Sequence, residues 1–364
     1  MLAEQGADAR SLGIREAAKA AGLDGVIVTS DESIAYLTGF RPMQLERLFA
    51  VVVTEAGGSV VVPALDVGQL TDAPPSLERV SYTAASDGMA ELVAALGGVR
   101  SVGVEEDHIV FARAKALEQQ GISLAPAGAL VFALRARKSA DEIEKIRRAC
   151  GVIEDALRQV FAELRPGDVE WEVNARVESR LREQGATDTH ALILFGENAA
   201  NPHGQPGPRE LRNGDVVCAD LSACIDGYWG DLTRCATVGP PTEWARRAWE
   251  VVREAQAAAI EACRVGVTAR EVDLAQRTLV EAASELGQCL HGAGHAIGLA
   301  IHEPPFLVPR IETPLEEGMV LTIEPGLYQP GIGGIRLEDD VVVGVDGPQI
   351  LSTISLDLVE LSSS

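Results

Sequence analysis

Four carboxylates and a run of histidines carry the chemistry open to this chain. Asp220 and Asp231 lie in the stretch 215–234, whose segment Val216 to Cys224 is rich in β-branched and apolar residues. Asp226-Gly227 within it is a strong two-residue hairpin turn. With that turn, residue i faces residue 453 − i, so Asp220 faces Thr233 and Asp231 faces Ser222. Facing residues share a side of a sheet, and the side alternates along each strand. The two aspartates then sit diagonally on one face, with Cβ atoms about 7–8 Å apart or less. Carboxylates so placed repel each other and resist burial unless a cation lies between them.

A second pair repeats the arrangement. Met319 to Pro325 and Gly334 to Val343 read as two strands around a Pro330-Gly331 turn, and pairing about residue 331 sets Glu324 opposite Glu338. Facing glutamates among apolar neighbours also call for a metal or a shared proton. Three of the six histidines, His291, His295 and His302, fall within twelve residues, among glycines that favour irregular or strand backbone over helix. Four carboxylates neutralise two divalent ions. A mostly oxygen donor set with an imidazole suits Mn²⁺, with Co²⁺, Zn²⁺ or Fe²⁺ as alternatives. Two such ions about 3.5–4 Å apart can activate water and polarise a carbonyl. The residues alone therefore point to metal-assisted hydrolysis.

The elements that must hold these groups divide at a charged joint, Leu134 to Ser139, giving expected domains of 1–135 and 136–364. The first alternates helix and strand signals: helix at 9–21, strand at 25–29, helix at 31–37, a hairpin about Ala56-Gly57-Gly58, then further strands and helices at 79–120. That is an α/β domain with a mixed sheet and no catalytic composition. The second opens on the capping box Ser139-Ala-Asp-Glu142 and a long amphipathic helix to about Leu164. Helix, Arg-Pro-Gly or Val-Gly break, helix, then strands bearing carboxylates or histidines occurs twice, an element order that suggests internal duplication. The fold class is thus α/β (α+β) in two domains.

A net charge of −23 argues against nucleic acid or an anionic membrane as partner. Met1 to Ala21 carries Glu4, Asp8, Arg10, Arg15, Glu16 and Lys19, so no secretory leader is expected, and no apolar run reaches membrane-span length. The six cysteines form no CxxC pair, and a cytoplasmic setting with reduced thiols is expected. Cys218 and Cys235 face each other in the hairpin register, and two thiols are expected there rather than a bridge. Only the Ser362 to Ser364 tail is low in complexity.

The segments Asp220-Leu-Ser-Ala with Asp231-Leu-Thr-Arg, Gly294-His295-Ala-Ile-Gly-Leu, Ile323-Glu324-Pro-Gly and Arg336-Leu-Glu338-Asp resemble the pita-bread metallopeptidases. These include Xaa-Pro dipeptidase (prolidase), Xaa-Pro aminopeptidase, methionine aminopeptidase and creatinase. The spacings of 11 between the aspartates and 14 between the glutamates also match. Tyr36-Leu-Thr-Gly-Phe40 with Glu46-Arg47 resembles the N-terminal domain of the prolidase and aminopeptidase P branch.

The resemblance implies a C-terminal pita-bread domain and two divalent metals per chain. Asp220 would hold one and His295 the other, with Asp231 and Glu338 touching both. Glu324 would be a ligand and the acceptor of the water's proton. His203 would contact substrate and shuttle a proton, His291 and His302 would be further active-site histidines, and Arg336 would orient the site. Arg310, 14 residues before Glu324, matches an arginine that binds a dipeptide's carboxylate. The implied substrate is a proline-containing di- or oligopeptide, and the implied assembly a homodimer. Ala296 and Ser222 replace glycines usual in the family and narrow the space beside a metal. The favoured activity is Xaa-Pro dipeptidase; alternatives are Xaa-Pro aminopeptidase on longer peptides or a non-peptidase hydrolase or lyase of the same fold. Creatinase and the non-enzymatic relatives lack metal ligands that this chain keeps.

Overall fold

The computed structural model describes residues 6–363; Glu4 and Ser364 lie outside the described residues. The chain divides into two compact units, one ending at Arg135 and the other beginning at Ala136. The first contains α1 (Ala7–Ala20), β1 (Gly25–Val28), α2 (Asp31–Thr38), β2 (Ala50–Thr54), β3 (Gly57–Pro63), β4 (Leu77–Tyr82), α3 (Met89–Ala95), β5 (Ser101–Val104), α4 (Phe111–Gln119) and β6 (Ser123–Pro126), with α5 (Gly128–Ala136) running to the boundary. Its strands make one mixed sheet in the order β4-β3-β2-β1-β5-β6. Ser30 caps α2 by accepting from the Ser33 N–H, satisfying one of the helix's orphan donors. The β2–β3 turn is Glu55-Ala56, because Thr54 pairs with Gly57, whereas the sequence points to Ala56-Gly57-Gly58. Gly58 serves the strand instead: a Cβ there would meet Leu77 Cδ2 at 2.5 Å, so its absence lets β4 pack closely.

The second unit opens with α6 (Ala140–Glu163) and α7 (Glu170–Glu183), followed by β7 (Asp188–Phe195), β8 (Val216–Ile225) and β9 (Tyr228–Val238). Then come α8 (Glu243–Ala262), α9 (Ala269–Ala282), β10 (Gly294–Ala296), β11 (Glu303–Leu307), β12 (Val320–Ile323), β13 (Gly326–Gln329), β14 (Gly333–Arg336), β15 (Asp339–Gly344), β16 (Gly347–Ile350) and β17 (Val359–Leu361). Two helices followed by ligand-bearing strands thus occur twice. The strands form a sheet β17-β9-β8-β7, a sheet β11-β10-β12-β15-β16 and the ribbon β13-β14.

The capping box at Ser139 and Glu142 starts α6, each side chain accepting from the other's backbone N–H. Ile143, Ile146, Cys150, Ile153, Leu157 and Phe161 form its buried stripe. Burying each of the larger ones contributes about 1.5–3 kcal/mol of transfer free energy. This stripe lies on β8 and β9. Gly230 is required there, since a Cβ would come within 2.9 Å of the Cys150 backbone nitrogen. The close approach sets the helix directly beside Asp231.

The β8–β9 register is the expected one: Asp220 faces Thr233 and Ser222 faces Asp231. Asp226 and Gly227 both take positive φ, at 51° and 80°, as a type I′ turn requires. Cys218 faces Cys235, and both remain thiols. The second hairpin keeps the expected register, with Leu321 facing Val341 and Leu327 facing Ile335. Instead of two continuous strands, however, it forms four short ones. Each chain crosses from one sheet to the other at its glutamate: Glu324 lies between β12 and β13, and Glu338 between β14 and β15. Pro325, beside the first crossing, has no N–H to give a ladder.

Candidate active site

The two crossings aim both glutamates at the β8–β9 face that carries the aspartates. The Glu338 N–H donates to the Thr233 carbonyl (3.2 Å), and the Glu324 N–H to the Ala293 carbonyl (2.8 Å). Freed from its own ladder, each ligand backbone is thus pinned to a neighbouring element. Asp220, Asp231, His295, Glu324 and Glu338 line one cavity of about 180 Å³, together with His203, His291, His302 and Arg336. Arg310 is not among the lining residues; it is exposed on the turn after β11.

Asp231, His295 and Glu338 are the tightest group, each offering a ligand atom within 4.8 Å of the others, and all three are buried. His295 Nδ1 lies 3.1 Å from its acceptor, the Ala296 carbonyl. That fixes the Nδ1–H tautomer and leaves the Nε2 lone pair facing the cavity, 3.4 Å from Glu324 Oε1. Three of the four carboxylates are oriented by a hydroxyl or a cation. Ser222 Oγ donates to Asp231 (3.0 Å), Thr233 Oγ1 donates to Glu338 (2.6 Å), and Arg336 donates to Asp220 (2.5 Å). Such partners favour the charged carboxylate and fix its geometry. Ser222 therefore has a positive use in this chain.

The electrostatics ask for added positive charge. Four carboxylates share the cavity, and Arg336 is the one permanent cation among the lining residues. Burial, then the charges of Glu338 and Asp220, pushes Asp231 well above the carboxylate range. Burial, then Glu324 and Asp220, does the same to Glu338. Burial raises Glu324 to about 7. His295 and His291 are lowered by burial, to about 3 and about 4, so both are neutral at pH 7. Neutral imidazole and crowded buried carboxylates are the donor set of a divalent transition-metal site, and the residues fit one.

Sequence reasoning missed Tyr328. Its hydroxyl is fully buried, 2.7 Å from His291 Nε2 and 2.9 Å from the Arg336 guanidinium that donates to it. Arginine can only donate, so the tyrosine's own proton goes to His291 Nε2, and Nδ1–H of that ring goes to the Gly292 carbonyl at 2.9 Å. His291, Tyr328, Arg336 and Asp220 form one hydrogen-bonded chain from the cavity rim to a ligand. A signal was present: Tyr328 faces Gly334 in the register about residue 331. Without a side chain at Gly334 the ring can lie across the ribbon towards Arg336, and a Cβ there would meet Tyr328 Cδ1 at 2.7 Å.

Carboxylates and histidines carried by two sheets around one cavity are the makings of a hydrolytic metal centre. Residues 144–344 match metallopeptidase family M24, and residues 10–137 match the creatinase/prolidase N-terminal domain. The chain belongs to metallopeptidase family M24, with a creatinase-type N-terminal domain and a C-terminal pita-bread domain. It is 34% identical over 355 residues to the Bacillus subtilis protein YkvY, an alignment covering 94% of this chain and 97% of that one. It is also similar to an Xaa-Pro dipeptidase from Bacillus anthracis, at 30% identity and a TM-score of 0.90, covering 98% of this chain and 100% of the other. An X-Pro aminopeptidase from Thermotoga maritima matches at 25% identity and a TM-score of 0.86, covering 96% and 99%. No helix among the described residues is long and apolar enough to cross a membrane.

Proposed function

We propose that this metallopeptidase cleaves Xaa-Pro bonds with two divalent metals, most simply Mn²⁺, and acts as an Xaa-Pro dipeptidase. The observation that carries the reading is the convergence of Asp220, Asp231, His295, Glu324 and Glu338 on one cavity. When bound there, divalent ions supply a Lewis acid for the scissile carbonyl and lower the pKa of water. Glu324 accepts the proton of the attacking water. The proline nitrogen leaves without an N–H of its own, so a proton must reach it. In this reading His203 and His302, which line the cavity, pass one, while His291, bonded to Tyr328, shapes the rim. Arg336 pairs with Asp220 and fixes the direction of its carboxylate.

The dipeptidase reading over the aminopeptidase one rests on the higher similarity to the Bacillus anthracis enzyme and on Arg310 as a carboxylate clamp. The exposed position of Arg310, outside the cavity lining, favours the second reading, an aminopeptidase that admits longer peptides. A homodimer in the cytoplasm belongs to the same proposal; light scattering that returns the 38.5 kDa monomer in fully active enzyme contradicts the dimer. Metal-loaded protein should hydrolyse Ala-Pro faster than Ala-Pro-Ala and leave Ala-Ala intact. Preference for the tripeptide selects the aminopeptidase, and cleavage of neither proline substrate rejects the proline reading.

A further inference from the structure

His302 lies in a stretch of chain with no regular structure. Residues 297–302 join β10 to β11 as a series of bends. Yet its ring is 4.0 Å from that of the ligand His295. Three of its contacts lead from the bend to Lys138 and to the strand of Asp231. The Trp229 N–H donates to the Gly298 carbonyl at 2.7 Å, two residues before Asp231. The Ala300 N–H donates to Glu303 Oε1 at 3.2 Å. Glu303 Oε2, in turn, receives Lys138 Nζ at 3.0 Å.

The last contact is unusual in its burial. Lys138 and Glu303 have side chains only 2% and 3% exposed. A lysine ammonium and a carboxylate are rarely taken out of water, because desolvation offsets most of their attraction. An apolar pair of the same volume would serve stability as well or better. The lysine stem also lies against the bend itself, since a Cβ on Gly298 would meet Lys138 Cε at 2.8 Å. Lys138 is itself fixed, its N–H donating to the Gly318 carbonyl. The pair therefore ties the bend, from Gly298 to Glu303, to the start of α6 across 165 residues of sequence.

We propose that Lys138 and Glu303 are positioning residues for His302: the buried ion pair fixes the bend so that the His302 imidazole stays against the metal-facing wall. The proposal rests on the reading of His302 as an active-site group. Neither member of the pair lines the cavity. A purely apolar anchor could hold the backbone, but it would not give Ala300 a charged acceptor of fixed direction. That acceptor sets the turn immediately before the histidine.

The test is a cycle between His302→Gln and the double variant Lys138→Met/Glu303→Gln, which removes both charges together and so leaves no buried charge unpaired. Lys138→Met/Glu303→Met, an apolar pair of similar volume, serves as the second variant if that one fails to fold. Kinetics on Ala-Pro are read beside bound metal and thermal midpoint. With His302 present, the charge-free pair should lower kcat/KM by about 10- to 100-fold, as displacements near 1 Å do. Metal content should stay at the wild-type level. In the His302→Gln background the same change should cost less than about two-fold, since the group it positions is gone. An equal loss in both backgrounds, or a lower midpoint with unchanged kcat/KM, overturns the proposal and leaves the pair a structural anchor. If His302→Gln by itself costs nothing, the reading of His302 fails and the proposal with it. If His302→Gln is costly and the pair variant silent, only the proposal fails.

Discussion

Replacing Tyr328 by phenylalanine removes one oxygen and keeps the ring that fills the space over Gly334. Two hydrogen bonds go with it, the 2.7 Å contact to His291 Nε2 and the 2.9 Å contact from Arg336. Both partners are held in the interior of the site, Arg336 being buried and His291 partly so. Losing the charged bond should cost about 1.5–3 kcal/mol and the neutral one about 0.5–1.5 kcal/mol. The sum, about 2–4.5 kcal/mol, falls on the catalytic unit, where each kcal/mol moves the midpoint by roughly 2–4 °C. A drop of about 4–18 °C is therefore expected in a thermal scan of metal-loaded protein. Activity should fall as well, because Arg336 loses one of the groups that hold it against Asp220 and His291 loses the partner at its Nε2. The measurement pairs the scan with kcat/KM on Ala-Pro at constant metal occupancy. A variant with wild-type midpoint and wild-type kcat/KM would refute the chain from His291 to Asp220 as a working unit.

Thr233→Val keeps the volume and deletes the hydroxyl that donates to Glu338 and accepts from Arg336 Nε, so metal affinity should weaken about 10- to 100-fold by titration; unchanged affinity contradicts the assigned role. In the ion-free chain Glu324 is raised from 4.5 to about 7, and Asp231 and Glu338 are raised too. The folded state then holds protons that the unfolded chain has lost. That stability is fully present below about pH 4.5 and disappears as pH rises through 7. The midpoint of metal-stripped protein should therefore fall between about pH 5 and about pH 8 more steeply than that of loaded protein; parallel curves count against it. Arg310→Ala should raise KM for Ala-Pro about 10- to 100-fold, with little change for Ala-Pro-Ala, if a charge-assisted pair recognises the dipeptide's end. Equal effects on both substrates move the activity towards an aminopeptidase.

Much of the site was legible because it rests on local rules. Asp226-Gly227 set a turn, the turn set a register, and the register put Asp220 and Asp231 on one face. The same arithmetic about residue 331 paired Glu324 with Glu338. It did not reveal that both strands break at those residues, because the break depends on two sheets competing for one chain. The glycines at 57 and 58 misled about the first hairpin, since Gly58 is there for Leu77 and not for the turn. No motif marked Tyr328; its partners Arg336 and His291 come together with it only in the fold. Lys138 and Glu303 lie 165 residues apart, and no spacing rule joins them. Arg310 was carried by a residue count across a loop, where insertions shift position freely, and it lies outside the cavity lining.

Asp220, Asp231, Glu324, Glu338 and His295, on this account, hold metal. Elemental analysis of protein loaded with Mn²⁺ and then freed of excess ion tests it most directly, run beside Ala-Pro hydrolysis on the same sample. Two equivalents per chain, with activity lost on chelation and regained on reloading, is the result this account predicts. A folded protein that holds no divalent metal and keeps its activity through chelation would contradict it.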